Sequence, residues 1–431
     1  MMGELATEYQ EIKVSDVVWR EDLYPRLKAD PALVQRYAEN LDVLPPIEVN
    51  QDNILIDGWH RWTAHRKNET DCIKVTVTQT RSDFEIRSLA IKRNAGHGWQ
   101  LDDSSKQHEA IWLYGAGTGL SKEQIADVLS VSARTIGRYV ADIDRRLREQ
   151  RKARIQDLWL QCFTQDEIAE SVELSRQAVG KEIESFATFG HMSKSSKTLA
   201  MFGDEAFKPP LYNVWAFAKK TNEVGHFGNS EQRIVDNLLY LYTEPFDIVL
   251  DPFAGGGSTL DVCKRRLRRC WVSDLHPIVE REQEIRQLDV VRDLPALDNR
   301  WSEVTLTYLD PPYWRQAQGK YSDSPDDLAN MELWQFAQAL AGVVTRIAQK
   351  QSRGVIALLI QPTQWNADDR QFTDHVLDVV GQATSSRLVL ENRVSCPYST
   401  EQYNAQQVEW AKENKKLLVL SRELVIWRVV A

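Results

Sequence analysis

Two stretches of this chain bring together acids, glycines, prolines and an aromatic ring in patterns that could do chemistry. The first is Asp310-Pro311-Pro312-Tyr313. Consecutive prolines fix the backbone and remove its N–H donors, which leaves a carboxylate and carbonyl oxygens as acceptors beside an aromatic face. Such a set suits a planar amine: its hydrogens are accepted, its lone pair is turned outward and its ring is held by stacking. Little base strength is needed if the proton leaves late, so the work would be orientation, desolvation and in-line approach. The second stretch is Asp251-Pro252-Phe253-Ala254-Gly255-Gly256-Gly257-Ser258-Thr259. Glycines there let the backbone approach a ligand closely, and Asp251 could hold a cationic or hydroxyl-bearing group.

These residues need strands to carry them. Ile248-Val249-Leu250 is a short apolar run expected of a buried parallel strand; it ends at Asp251, and a helix-like pattern resumes from Thr259. Cys270 to Ser273 reads as the next strand and delivers Asp274, an acid suited to a ribose diol, while Thr305 to Leu309 reads as another and delivers Asp310. In open α/β sheets ligands lie beyond the carboxyl ends of such strands. The full G-x-G-x-x-G spacing is missing and a pyrophosphate would meet the Asp251 carboxylate, so S-adenosylmethionine fits better than a dinucleotide. Leu417 to Leu420 and Leu424 to Trp427 are expected to close the sheet as a hairpin.

From about Asn213 to Trp427 the chain resembles the DNA N4-cytosine/N6-adenine methyltransferase family, through the Asp-Pro-Phe-x-Gly-x-Gly-(Ser)-Thr and Asp-Pro-Pro-Tyr motifs. The resemblance implies a Rossmann-like, S-adenosylmethionine-dependent domain. It implies cofactor contacts from Asp251, Pro252, Phe253, Ala254, Gly255, Gly257 and Asp274, and catalysis by Asp310, Pro311, Pro312 and Tyr313. Gly225 to Glu231 is similar to the family's Phe-x-x-Pro cofactor segment and adds Phe227, with Ser230-Glu231 standing where proline is usual. The glycine loop is one residue longer than the commonest form. Aspartate at the motif head is commoner among adenine enzymes and serine among cytosine enzymes, so N6 of adenine is favoured and N4 of cytosine stays the alternative. Cytosine carbon-5 methylation needs Pro-Cys, and Cys396-Pro397 has the reverse order.

Upstream, Ser121 and Gln124 make a capping-box pattern before Ile125-Ala126-Asp127-Val128-Leu129, and a break at Ser130-Val131-Ser132 leads into Ala133 to Val140. This predicts helix, turn, helix, with Val131, Ile136 and Val140 facing the core. A second copy runs from Thr164, capped with Glu167, through Ser175 to Ile183. Candidate contacts to double-stranded DNA are Ser132, Arg134, Thr135 and Arg138 in the first unit, Arg145 beyond it, and Ser175, Arg176 and Gln177 in the second. Between Arg134 and Arg154 basic residues outnumber acids eight to three, a local field that the net charge of -9 conceals.

Residues from about 10 to 145 resemble the ParB/Spo0J N-terminal nucleotide-binding domain followed by its helix-turn-helix. Three strand-like runs, at Ile12-Lys13-Val14, Ile47-Glu48-Val49 and Ile54-Leu55-Ile56, precede Asp57-Gly58-Trp59-His60-Arg61, and Ile73 to Val77 reads as a closing strand. The resemblance makes Gly58, His60, Arg61, Asn94 and His97 candidate contacts for CTP or another nucleotide, although Asp-Gly-x-x-Arg replaces Gly-Glu-Arg-Arg. It also makes a homodimer an expectation.

The whole reading is a multidomain α/β chain. A small α+β ParB-like domain occupies 1-100, a helical region with two helix-turn-helix units 101-192, and a methyltransferase domain 193-431, entered through a polar linker at Lys194 to Lys197. With 42% hydrophobic residues and 14 Trp, buried cores are within reach. Five cysteines without Cys-x-x-Cys pairing speak against a zinc site or disulfide framework and for a cytoplasmic setting. No apolar run has membrane length. A site-specific DNA methyltransferase, as of a restriction-modification system or mobile element, is the expectation. The alternative is a ParB-like regulator or partition factor whose methyltransferase domain no longer turns over.

Overall fold

The computed structural model describes residues 9–26, 28–96, 101–115, 119–188, 190, 192–217, 231–319, 323–366, 370–398 and 403–430. The chain divides into two compact units, Met1–Gln150 and Arg151–Ala431. This break falls inside the helical region, at neither of the boundaries expected from composition.

In the first unit four strands, β1 (Gln10–Lys13), β2 (Ile47–Asn50), β3 (Leu55–Asp57) and β4 (Cys72–Thr78), pair in the order β1-β4-β2-β3. β2 runs parallel to β4, and the outer pairings are antiparallel. Alternation along β2 and β4 sends Ile47, Val49, Ile73 and Val75 into a core shared with Leu55 and Trp62. Gly58, at φ 102°, turns the chain from β3 into the helix Trp59–Lys67. A side chain there would strike Ile47 Cγ2 at 2.6 Å, so the turn needs glycine twice over.

The first helix-turn-helix forms as its sequence predicts. Ser121 and Gln124 complete a capping box ahead of the helix Lys122–Leu129, Ser130 takes a left-handed conformation, and Ser132 caps the helix Ala133–Tyr139. Ile125, Leu129, Ile136 and Val140 are buried, while Val131 is only half-buried. The second copy, Gln165–Val172 and Arg176–Ala187, repeats each device: Thr164 with Glu167, left-handed Glu173, and Ser175 as cap.

The second unit is built on seven strands: β5 (Ile248–Asp251), β6 (Arg269–Asp274), β7 (Arg286–Gln287), β8 (Val304–Leu309), β9 (Val355–Ile360), β10 (Leu388–Pro397) and β11 (Ser421–Val429). Their order is β10-β11-β9-β8-β5-β6-β7. β5 to β9 are parallel and the β10–β11 hairpin is antiparallel to them. This is a mixed α/β, Rossmann-like architecture. β8 and β9 are buried along their whole length, as a sheet covered on both faces requires. Each large aliphatic side chain removed from water there contributes about 2 kcal/mol. The strand order reverses beside β5, which places the topological switch between β5 and β8.

Two expectations are corrected. The first strand of the closing hairpin is β10, whereas Leu417 to Leu420 forms no strand and Leu417 is 89% exposed. Four apolar residues in a row satisfied the pattern for a strand without any strand partner to pair with. Lys194 to Lys197 is no linker but the start of the helix Lys194–Ala200, capped by Ser193. Arg266 and Arg268 hold that helix by donating to the Leu199 and Ala200 carbonyls. Among the described residues no helix is long and apolar enough to cross a membrane.

Candidate active site

β5 ends at Asp251, whose side chain is 1% exposed and accepts the Phe253 amide at 2.9 Å. Burial pushes its carboxyl up to about 7; hydrogen bonds from Thr259 and the Phe253 amide pull against this, and the charges of Asp310 and Asp274 add to the rise. Next comes the glycine loop, with Gly255 at φ 50° and Gly257 at φ 80°, and then the helix Ser258–Arg265. Asp274, at the tip of β6, accepts the Gly255 amide at 2.9 Å through one oxygen and the His276 amide at 3.0 Å through the other. The acid thus fixes the loop it faces.

β8 delivers Asp310 beside them. Tyr313 donates its hydroxyl to Asp310 Oδ1 at 3.0 Å, and Tyr308 donates to Oδ2 at 3.4 Å. Burial, then the neighbouring Asp310 charge, raises the Tyr313 hydroxyl well above the ordinary tyrosine range, so it stays a donor. Pro311 is buried and Pro312 half-buried. Behind this group Arg422 on β11, 5% exposed, lies 4.4 Å over the Tyr398 ring and donates to the Cys396 carbonyl. Burial opposes its charge, but Tyr313, Tyr398 and Asp310 outweigh it and hold the guanidinium protonated.

One cleft of about 900 Å³ joins both halves: Asp251, Pro252, Phe253, Ala254, Gly255 and Asp274 line it together with Tyr308, Asp310 and Pro312. Among the described residues its lining holds six aspartates and no lysine or arginine, the others being Asp289, Asp326 and Asp327, of which Asp289 and Asp326 pair with Arg292 just outside the lining at 3.3 and 2.8 Å. A ligand carrying positive charge fits such a lining, and a pyrophosphate does not. S-Adenosylmethionine, a sulfonium with an ammonium, matches it. Gly257, Pro311 and Tyr313 are not among the lining residues: Gly257 forms the far side of the loop, and Tyr313 reaches the cleft through Asp310. Phe227 lies outside the described residues.

Sequence reading missed Tyr308, Asp289, Arg281 and Arg422. Tyr308 sits in the strand itself, where an aromatic reads as core. Asp289 follows β7, a strand of two residues that leaves no periodic signal. Arg281 and Arg422 meet their partners only through the fold.

In the first unit three of the nucleotide candidates, His60, Arg61 and Asn94, are held by internal bonds. His60 is buried and accepts the Asp30 amide at 3.0 Å; burial, then the Arg26 charge, lowers its ring to about 4. Arg61 pairs with Asp57 at 2.8 Å. Asn94 accepts from Arg26 at 2.9 Å and from Tyr24 at 3.3 Å, and Tyr24 accepts the Trp59 amide, which links Asn94 to the helix start beside Gly58. His97 lies outside the described residues.

Of the DNA candidates, Arg134, Arg138, Arg145, Arg176 and Gln177 are exposed. Thr135 is half-buried, and its amide is held by the Ser132 hydroxyl at 3.1 Å. Ser175 likewise caps the Ala178 amide at 3.3 Å, so both serines serve their own helices. Arg145 pairs with Asp142, and Arg176 with Asp166, across exposed surface.

No curated protein matches the chain in sequence. Among solved structures, the chromosome-partitioning protein ParB from Caulobacter crescentus, complexed to the centromeric parS site, is 17% identical over 30% of this chain and 69% of its own, with a TM-score of 0.25. TrmN from Thermus thermophilus is 16% identical over 47% of this chain and 50% of its own, with a TM-score of 0.29. The precorrin-6y C5,15-methyltransferase of Geobacter metallireducens is 11% identical over 52% of this chain and all of its own, with a TM-score of 0.27. Similarity at this level assigns no activity. The DNA methylase model for N6 and N4 methyltransferases matches residues 52–277, more than half of the chain, and takes in the glycine loop and Asp274 while ending before Asp310. The chain belongs to the DNA methylase family.

Proposed function

We propose that this chain methylates an exocyclic amine of a DNA base, with N6 of adenine as the acceptor. One observation carries the reading: Asp310, gripped by two tyrosine hydroxyls, opens into the same cleft as Asp251, Gly255 and Asp274. S-Adenosylmethionine, when bound, supplies the methyl group. Asp251 and Asp274 would hold its charged and hydroxyl-bearing portions, and the glycine loop would admit it closely.

Asp310 and the Pro311 carbonyl would accept the two hydrogens of the amine. A carboxylate oxygen accepts more than one hydrogen bond, so the tyrosine bonds orient Asp310 without exhausting it. The Tyr313 ring would stack on a base taken out of the duplex. Catalysis is then positioning in a dry cleft. Asp310 at the motif head supports adenine over cytosine.

The helix-turn-helix units would bring the duplex to the site, with Arg134, Arg138, Arg145, Arg176 and Gln177 as the exposed contacts. A CTP site in the first unit is a separate part of the proposal and rests on Gly58 at the start of the helix Trp59–Lys67. Radiolabelled CTP retained on a filter by the full chain, and lost with Gly58→Val, is the expected result.

The deciding experiment is nucleoside mass spectrometry of unmethylated DNA incubated with the chain and S-adenosylmethionine, beside Asp310→Ala. N6-methyladenine that disappears in the variant is expected. N4-methylcytosine would move the acceptor to cytosine, and no methylation of diverse DNA would overturn the reading in favour of a regulator.

A further inference from the structure

We propose that Arg281 is a positioning residue that holds the glycine loop in its ligand-receiving shape, and that Glu284, Lys264 and Asp157 anchor it to the helix Ala141–Leu160. The proposal rests on the cofactor reading of the cleft. Arg281 lines no part of that cleft and belongs to none of the motifs. It lies behind the loop, on a short 3-10 turn, Val279–Arg281.

Every arm of its guanidinium is engaged. Nη1 donates to the Gly256 and Gly257 carbonyls, each at 3.1 Å. The two Nη atoms clasp Asp261 in the first turn of the helix Ser258–Arg265, at 2.9 and 2.8 Å, and Nε donates to Glu284 at 2.7 Å. The Gly257 carbonyl is also the acceptor of the Asp261 amide, so Arg281 grips the junction where loop becomes helix. A rigid fork with several donors suits this task in a way that an ammonium does not.

Gly257 shows how closely the fork approaches. A Cβ on Gly257 would lie 2.6 Å from Arg281 Nη1, so the guanidinium fills the space of the missing side chain. Glycine takes left-handed conformations without strain but loses more freedom than any other residue on being fixed there, and the arginine supplies bonds that exist only in that shape.

The hold continues outward. Glu284 accepts from Lys264 at 2.7 Å, and Lys264 pairs with Asp157 at 2.6 Å. Asp157 is fixed in turn by Gln161, whose amide donates at 2.8 Å. These pairs are one-fifth to one-third exposed, so each is modest alone and useful as a chain.

The test uses the full chain with Arg281→Met, Arg281→Lys and Lys264→Met. Hydrogen exchange is read over residues 253 to 261 without ligand, and S-adenosylmethionine affinity by calorimetry. Arg281→Met should speed exchange at the loop amides and weaken the cofactor about tenfold, with kcat at saturating cofactor nearly kept. Arg281→Lys should restore part of both, and Lys264→Met should move both the same way by less. Unchanged exchange and affinity in Arg281→Met would overturn the proposal, as would faster exchange spread over the whole sheet. If the unaltered chain bound no S-adenosylmethionine, the cofactor reading would fail and the exchange data would still decide the brace.

Discussion

Asp251 carries the sharpest consequence at the level of single residues. Its folded carboxyl titrates at about 7 against an ordinary 3.8, chiefly because it is buried. Between those values the folded chain keeps a proton that the unfolded chain has lost. Stability is therefore fully present below pH 4 and falls as pH climbs towards 7, by on the order of 4 kcal/mol for a shift of this size. Asp251→Asn should abolish that loss: melts across pH 4 to 8 should show the variant gaining on the unaltered chain as pH rises, while cofactor binding disappears. A melting difference that stays flat with pH would show that another group titrates. Asp310→Asn keeps the shape but replaces one acceptor oxygen with a donor, and should cut methylation about a thousandfold with cofactor affinity retained. Tyr313→Phe keeps the stacking face and should cost about ten- to a hundredfold, as a hydrogen bond to a carboxylate does. Both are read from initial rates at saturating cofactor. The acids and prolines of this site were legible because their chemistry is compressed into adjacent residues. Tyr308 and Arg422 were not, because nothing local to them shows that one bonds Asp310 and the other lies within reach of its charge.

Elements follow the same division between local and distant causes. Both helix-turn-helix units were legible because capping boxes, left-handed turn residues and buried small residues all lie within one short window. Ser121→Ala and Thr164→Ala should each cost about 1 kcal/mol, read from urea unfolding, because each removes the acceptor of a helix-start amide. The parallel strands β5, β6, β8 and β9 were equally legible as apolar runs ending in acids or turns. The hairpin was not. β10 has exposed Val389 and Leu390 and a register shift between Leu390 and Asn392, which blurs its alternation, whereas Leu417 to Leu420 offers a clean apolar run that makes single bonds, such as the Tyr398 amide to the Leu420 carbonyl, but joins no strand. Pairing across the sheet, which a linear pattern does not contain, decided between them.

For the molecule as a whole, composition and field pull apart. A net charge of -9 coexists with an exposed basic run from Arg134 to Arg154. Replacing Arg134 and Arg138 together by alanine should weaken DNA binding on every sequence and lower the slope of log affinity against log salt by about 2. An unchanged slope would remove the first helix-turn-helix from the interface. The second helix pair lies within the unit that contains the sheet: Trp159 meets Phe246 at 5.4 Å and Arg300 donates to the Cys162 carbonyl, ties that only folding creates.

On the proposed function the aspartates of the cleft would act on turnover as well as on capture. They would attract the cofactor by its positive charge, and methyl transfer would remove the sulfonium charge that they attract. The spent cofactor would be held by less of the same field, so the site that gathers a charged donor would let go of a product that is less positive. The same carboxylates would repel the phosphates of the duplex and admit an uncharged base. The cleft would thereby sort by charge at both ends of the reaction, drawing in what is still to be used and giving up what has been.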